Sequence, residues 1–301
     1  MDRLITDARL DPRFRSEAAR VLKLTGTAGF SGEGTLPDLP PAVEKSWGEE
    51  GLLIKAMEIK SDPDGNKVKL ALHRPRNEEI LPLVYHMHGG GMAVDSAFTP
   101  RIVRRLNMLA HCGVVVVSVD FRNWAQPSQP GAEIGPFPAG LNDCYSGLLW
   151  CHEHAAELGA DPKRIIVAGE SGGGNLSLAT ALKAKRDQRL DMIAGIYAFC
   201  PYIAGTWPQD VSHEGILGDS HITNNGISIT VGGRRGGSLA SKGYGGFGNA
   251  LAWPGFASVD DLKGLPHTMI VVNECDPLRD EGINFYRRCA GAGMRVQCRM
   301  V

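Results

Sequence analysis

A serine flanked by glycines follows an apolar run in the middle of the chain. The run is Ile165 to Ala168, and the next residues read Gly169-Glu170-Ser171-Gly172-Gly173-Gly174-Asn175. A strand that turns into a helix through G-x-S-x-G exposes the serine hydroxyl for nucleophilic attack. Glycines suit this turn because it crowds any Cβ. The pattern predicts Ser171 as a nucleophile with Glu170 and Gly172 beside it, although a plain strand-to-helix corner would have a similar composition.

A second glycine cluster, His88-Gly89-Gly90-Gly91, ends the apolar run Leu83 to Met87. Successive glycines let the backbone turn several N–H groups towards one point, which is what a tetrahedral oxyanion requires. We expect the donors to be Gly90 and Gly91, joined by Gly172, with His88 and Gly89 supporting the loop. A phosphate-binding loop would need Gly-Lys-Ser/Thr, and a dinucleotide site would need G-x-G-x-x-G, and this cluster has neither pattern.

An acidic cluster, Asp276-Pro277-Leu278-Arg279-Asp280-Glu281-Gly282, follows the apolar run Thr268 to Val272. A carboxylate at the carboxyl edge of a sheet can hold a histidine in the tautomer that a serine nucleophile needs. Asp276 is the candidate, because Asp280 and Glu281 would start the next helix, where acids complement the helix dipole. A turn or N-cap aspartate at position 276 is the alternative.

The elements that must position these residues alternate between strand and helix. Nearly continuous Val/Ile runs predict strands covered on both faces, and their alternation with helices predicts a mostly parallel sheet. The fold class is therefore α/β. The predicted strands are Leu83 to Met87, Val114 to Val119, Ile165 to Ala168, Ile193 to Phe199, Thr268 to Val272 and Met294 to Met300; the predicted helices are Thr99 to His111, Ala139 to Leu158, Asn175 to Arg186 and Asp280 to Ala292.

The chain is expected to form one catalytic domain, residues 51–301, preceded by an N-terminal cap segment, residues 1–50. The turn cluster Asp62 to Asn66 separates two runs and predicts an antiparallel hairpin at a sheet edge. A Gly-rich stretch at about 203–252 lacks periodicity, and we expect it to form part of a cap over the site, with weak order from Thr230 to Gly248. A disordered linker is the alternative there.

Composition excludes several classes of function. A formal net charge of -1 over 301 residues gives no field for nucleic acid or an anionic membrane. The charged N-terminus does not resemble a signal peptide, and no run reaches transmembrane length, so we expect a cytoplasmic protein. A basic cluster at 101–105 is expected to be a solvated helix face.

The scattered histidines and cysteines indicate neither a metal site nor a disulfide framework. His152 and His154 are one residue apart and point to different faces of a helix, and no cofactor is expected. The cysteines that stand in apolar surroundings are expected to be buried thiols: Cys112, Cys144, Cys200 and Cys289.

Together, the order His-Gly-Gly-Gly, then G-x-S-x-G, then Asp-Pro-Leu-x-Asp-Glu resembles the hormone-sensitive-lipase-like branch of the α/β-hydrolases, from roughly residue 50 to the end. The resemblance implies a serine carboxylesterase with an N-terminal cap, no metal and no organic cofactor, acting on small esters or lactones; a homodimer is left open. Common members carry Tyr-Arg-Leu-Ala-Pro-Glu where this chain has Phe121-Arg122-Asn123.

The resemblance also exposes a gap. In this family the histidine usually follows the acid by about thirty residues, after the last strand, but Met294 to Met300 runs into Val301. His213 and His221 belong to the expected cap, and a mobile Gly-rich segment would not hold a general base in a fixed position. We therefore expect a truncated chain that lacks its base and is weakly active, with an apolar last strand left exposed and poor solubility.

Two other functions compete with ester hydrolysis. A small-molecule-binding protein on a hydrolase scaffold would lack the histidine, as the gibberellin receptor of the same family does. An amide hydrolase would use the same serine machinery, so the motifs do not separate the two bond types. Trp124 and Tyr202 are expected near the pocket in either case.

Overall fold

A computed structural model describes residues 6–13, 15–16, 19, 48–207, 216–231 and 243–301. Its strands are β1 (Leu52–Lys60), β2 (Lys67–Pro75), β3 (Leu81–Met87), β4 (Val115–Asp120), β5 (Ala160–Glu170), β6 (Gly195–Phe199), β7 (Thr268–Val272) and β8 (Val296–Met300). Its helices are α1 (Pro100–His111), α2 (Ala139–Glu153), α3 (Ala155–Leu158), α4 (Gly172–Arg186), α5 (Ser220–Thr223), α6 (Val259–Leu262) and α7 (Arg279–Gly291), and short 3₁₀ turns cover Leu190–Met192 and Pro254–Phe256.

The strands form one eight-stranded sheet in the order β1-β2-β4-β3-β5-β6-β7-β8. The first two form the expected hairpin, with Leu52 opposite Pro75, and β2 is also antiparallel to β4. All later pairs are parallel. The prediction of an α/β fold with a mostly parallel sheet is confirmed. Since the carboxyl ends of parallel strands share one edge, the residues after β3, β5, β6 and β7 meet there.

Helices on both faces bury the sheet. On one face α4 packs against β5 and β6, and its Leu and Ala side chains are buried along almost its whole length. On the other face α1 packs on β2 and β4, with Ile102 and Leu106 fully buried. The core is therefore covered on both sides near the motifs.

The basic cluster on α1 is not simply a solvated face, and that expectation is wrong. Arg101 pairs with Asp95, and Arg105 pairs with Glu170. Sequence periodicity places a side chain on a helix face but does not show which loop folds back over that face. These two arginines instead hold the chain around the glycine motifs.

Several element bounds differ from expectation for local reasons. The predicted helix from Ala139 to Leu158 divides at His154, whose Nδ1 and backbone N–H both bond to the Trp150 carbonyl. The last strand begins at Val296, because Gly293 takes a φ of 76° in the turn before it. Of the four cysteines expected to be buried, Cys112 is exposed at the end of α1.

Part of the expected cap lies outside the described residues, namely 208–215 and 232–242, as does most of the segment 1–50. The division into cap and catalytic domain stays a prediction. At the far edge of the sheet, Met300 and Val301 are each 56% exposed. Within the described ranges, no helix is long and apolar enough to cross a bilayer.

Candidate active site

Ser171 occupies the turn between β5 and α4 with φ 56° and ψ -116°. Only glycine adopts this backbone conformation readily, so a serine here carries strain of about 1–3 kcal/mol. Hydrogen bonds hold the strained residue from both sides: its N–H donates to Phe199 O at 2.8 Å, and its carbonyl accepts from Tyr202 N at 3.1 Å. The Ser171 backbone is thus held at the carboxyl edge of the sheet, in the strand-to-helix turn that the G-x-S-x-G pattern predicts.

The glycines around Ser171 are required by close packing against the loop that follows β3. A Cβ on Gly173 would lie 2.0 Å from the Met87 carbonyl oxygen. A Cβ on Gly172 would lie 2.6 Å from the amide nitrogen of Met92 and 2.9 Å from that of Gly91. The two glycine motifs, far apart in sequence, are therefore in direct contact.

The amides expected to hold an oxyanion are available at this contact. Gly90 and Gly91 take φ values of 97° and 63°, which turn the loop sharply, and the Gly90 carbonyl accepts from Ala93 N and Val94 N. Within the described part of the chain, no backbone hydrogen bond uses the N–H of Gly90, Gly91 or Gly172. Such preorganised donors are what a developing oxyanion needs.

His88 supports this loop from beneath. It is fully buried, stacks on Phe121 at 4.1 Å between ring centroids, and donates from Nδ1 to the Gly89 carbonyl at 2.8 Å. Burial lowers the pKa of His88 to about 4 although the hydrogen bond to Gly89 opposes the shift. A neutral ring with Nδ1 already engaged fits a structural role.

Glu170 anchors the turn through two basic partners. One carboxylate oxygen lies 3.1 Å from His86 Nε2, and the other pairs with Arg105. His86 Nδ1 in turn contacts the Ser118 hydroxyl at 3.0 Å. Burial alone would raise the pKa of Glu170, but the hydrogen bond from His86 and the positive charge of Arg105 outweigh it and lower the pKa to about 2.

Glu170→Gln is expected to lower the free energy of unfolding by about 2 kcal/mol at pH 7, because it weakens charge-assisted hydrogen bonds to the buried His86 ring and to Arg105, whose side chain is 38% exposed. An acid with a lowered folded pKa stabilises the protein above its unfolded value of about 4.5 and loses this contribution as the pH falls towards 2. Urea unfolding of wild type and variant should therefore differ most above pH 4.5 and converge below it. The exposed Glu157→Gln serves as control, and a constant difference at every pH would contradict the assignment.

Asp276 lies at the same sheet edge, 7% exposed, in the loop between β7 and α7. Its Oδ1 accepts from Leu278 N at 2.9 Å, which is the turn role that sequence reasoning left open. Burial raises its pKa above the usual range although hydrogen bonds from Leu278, Cys200 and Asn273 oppose this. The Cys200 thiol is also 3.0 Å from Asn273 Nδ2. Neither neighbour is indicated by the sequence around Asp276.

Five histidine rings form hydrogen bonds, and none of these bonds is to Ser171. Among the described residues, no group forms a hydrogen bond with the Ser171 hydroxyl. His267 precedes β7, at the sheet edge opposite Ser171. His213 lies outside the described residues. The engaged rings are His73 on Asn107, His86 on Ser118 and Glu170, His88 on Gly89, His111 on Gly48, and His154 on Trp150.

His221 is fully buried on α5, and α5 docks on the Asp276 loop. The Ser220 hydroxyl donates to the Pro277 carbonyl at 2.8 Å, and Asn224 Nδ2 donates to the Asp276 carbonyl at 3.1 Å. The described part of the cap therefore contacts the loop that carries the candidate acid. This placement could not be read from the aperiodic sequence of the region.

A buried aromatic group packs beside Ser171. The Tyr202 ring stacks on Trp207 with centroids 4.1 Å apart and planes at 5°, and Trp253 meets both rings edge-on. Trp124, expected near the pocket, is tied to the glycine loop by its backbone N–H, which donates to the Met92 carbonyl at 2.8 Å. Both aromatic residues expected near the pocket thus lie beside the motifs.

Residues 84–301 match the sequence profile of a family described as alpha/beta hydrolase fold. Among curated proteins, the chain is 33% identical over 225 residues to a carboxylesterase, NlhH, of Mycobacterium tuberculosis. That alignment covers 74% of this chain and 65% of the relative. The chain thus spans slightly less than two thirds of the relative's length.

Solved structures give matches over nearly the whole chain. The esterase Est22 superposes with a TM-score of 0.83 and 40% identity, covering 99% of this chain and 90% of the other. Brefeldin A esterase, described as a bacterial homologue of human hormone-sensitive lipase, superposes with a TM-score of 0.78 and 38% identity, covering 94% and 76%. The resemblance to the hormone-sensitive-lipase-like branch is confirmed.

Proposed function

The chain belongs to the alpha/beta hydrolase fold family, and from that premise we propose that it is a serine carboxylesterase for small carboxylic esters or lactones. Its similarity to a carboxylesterase and to two esterases of known structure supports this activity. One observation carries the proposal: the strained Ser171 turn packs against a glycine loop whose N–H groups have no backbone acceptor within the described residues.

The proposed chemistry is acyl transfer in two steps. Ser171 Oγ bonds to the ester carbonyl carbon, and the negative oxygen that forms accepts hydrogen bonds from Gly90, Gly91 and Gly172. Collapse of this intermediate breaks the bond to the alcohol and leaves the acyl group on Ser171. Water then releases the acid by the same route. Asp276 would orient the histidine that accepts the serine proton.

The group that would accept the Ser171 proton is not identified among the described residues. Five histidines are engaged away from Ser171, and the lowered pKa of His88 makes it a poor base. None of these five rings, all in the described part of the chain, is bonded to Ser171, and we propose that the 301-residue chain binds esters and acylates slowly, since a triad without its base keeps only the contribution of the oxyanion site and of binding.

Covalent labelling tests the nucleophile independently of turnover. A fluorophosphonate probe is expected to add slowly to the chain, and mass spectrometry should place the adduct on the peptide that contains Ser171. The Ser171→Ala protein should stay unlabelled under the same conditions. Equal labelling of both proteins would refute the nucleophile, and saturable ester binding without labelling would favour the binding-protein alternative.

His221→Asn tests whether a cap histidine supplies the base. Because α5 touches the Asp276 loop through Ser220 and Asn224, His221 is the histidine to examine. We expect the rate of phenyl acetate hydrolysis to be unchanged in this variant. A loss of a hundredfold or more, about what a general base contributes, would instead assign the proton transfer to His221.

A further inference from the structure

A carboxylate with no part in the acyl transfer described above is buried behind the site. Glu281, in the first turn of α7, is 1% exposed. Its Oε1 accepts from Ile203 N at 2.8 Å, and its Oε2 accepts from the Trp207 indole N–H at 2.7 Å. Burial raises the pKa of Glu281 to about 8 although the hydrogen bonds from Ile203 and Trp207 oppose the shift. A buried carboxyl group needs hydrogen-bond partners for its oxygens, and these two donors supply them.

The Trp207 indole, which donates to Glu281, also packs against the other aromatic rings beside Ser171. Trp207 is 1% exposed and lies parallel to Tyr202, with ring centroids 4.1 Å apart and planes at 5°. Trp253 meets Trp207 edge-on at 6.1 Å. Stacked aromatic pairs gain about 0.5–1.5 kcal/mol beyond their burial. The hydrogen bond that orients the Trp207 ring therefore also favours the observed plane of Tyr202.

Tyr202 adjoins both glycine motifs of the site. Its N–H donates to the Ser171 carbonyl at 3.1 Å, and its Cε1 lies 3.9 Å from the position that a Cβ on Gly91 would take. Its own carbonyl accepts from Asn175 Nδ2 at 2.8 Å. The half-buried Tyr202 ring thus stands between the nucleophile turn and the oxyanion loop, where it can touch a bound ester.

We propose that Glu281 is a positioning residue, which acts through Trp207 to hold Tyr202 as a rigid platform and so gives the site a preference for esters that carry a planar aromatic group. This inference rests on the proposed ester hydrolysis at Ser171. A planar ring gains stacking against another aromatic ring, whereas a cyclohexyl ring of similar size cannot stack. Loosening the platform removes that difference and leaves the acyl-transfer groups in place.

Glu281→Gln tests the contact directly. It replaces one of the two accepting oxygens by an NH₂ group, which would face an N–H donor. Asp280→Asn is the matched control. It removes a neighbouring negative charge from the same helix turn, but Asp280 contacts Ser220 N and Arg279 instead of the aromatic group. Trp207→Phe keeps a ring in the stack but removes the indole donor together with part of a buried bicyclic ring.

Indole N–H resonances report the hydrogen bond without any need for activity. The chain has five tryptophans, and Trp207→Phe assigns the signal of Trp207. In Glu281→Gln this signal should move upfield while the other four stay, and in Asp280→Asn all five should stay. An unmoved Trp207 signal in Glu281→Gln would overturn the proposed contact. If Glu281→Gln does not fold, Trp207→Phe carries the binding test below.

Binding to the Ser171→Ala protein measures the preference without turnover. Phenyl acetate should bind more tightly than cyclohexyl acetate, and adding Glu281→Gln or Trp207→Phe should reduce this ratio about tenfold, while Asp280→Asn should not. The double variant Glu281→Gln with Trp207→Phe should reduce the binding ratio no more than either substitution alone, because both remove the same contact. If the binding ratio does not change, the inference is overturned even when the probe labels Ser171. If the ratio changes but Ser171 is not labelled, only the esterase proposal is overturned.

Discussion

Free imidazole is expected to accelerate hydrolysis of phenyl acetate by the 301-residue chain roughly a hundredfold. A general base contributes about 10² to 10⁴ to such reactions, and an untethered imidazole recovers part of this. The reason lies in the site: the Ser171 turn and the glycine loop are assembled, but the histidines with recorded partners lie elsewhere. On the proposed assignment of roles, a small diffusible base takes the serine proton and Asp276 stabilises the imidazolium.

Initial rates over a range of imidazole concentrations test this expectation. The Ser171→Ala protein is the control, because imidazole also attacks activated esters in solution and that background must be subtracted. The enzyme-dependent rate should rise with the concentration of neutral imidazole and should saturate if the base binds. A full rate without imidazole, or an equal gain in Ser171→Ala, would show that the chain does not lack a base at Ser171.

Gly172→Ala is expected to lower the imidazole-assisted rate by about 10² to 10³, the typical effect of losing one oxyanion donor. The new Cβ would lie 2.6 Å from Met92 N and 2.9 Å from Gly91 N. Both neighbours are backbone atoms and cannot move aside as a side chain does, so the glycine loop must shift. That shift would separate the amides of Gly91 and Gly172.

Gly174→Ala is the matched control, in the same helical turn. Its Cβ would face Pro201 Cα at 3.1 Å and Phe199 O at 3.2 Å, away from the glycine loop. We expect it to lose less than tenfold in rate at a comparable melting temperature. Equal rate losses in the two variants, with both proteins folded, would show that the loop contact at Gly172 has no special part in catalysis.

The sequence predicts the local geometry of the two glycine motifs well. A backbone angle such as φ 97° at Gly90 is accessible almost only to glycine, so the residue type itself reports it. Apolar runs predict strand positions in the same local way, and Thr268 to Val272 matches β7 residue for residue, although other strands begin or end a few residues away from their predicted bounds. The cap was harder to predict, because its Gly-rich chain has no periodicity to indicate that α5 would dock on the Asp276 loop.

By itself, then, the sequence determined the α/β class, the strained serine turn and the glycine loop, because all three depend on hydrophobic periodicity and on local backbone freedom. Only the tertiary structure decided which distant side chains meet them: Arg105 on Glu170, Cys200 on Asp276 and Glu281 on Trp207. Such contacts depend on strand order and on how each helix packs over the sheet. The residues that adjoin each motif in the sequence specify neither the strand order nor the helix packing.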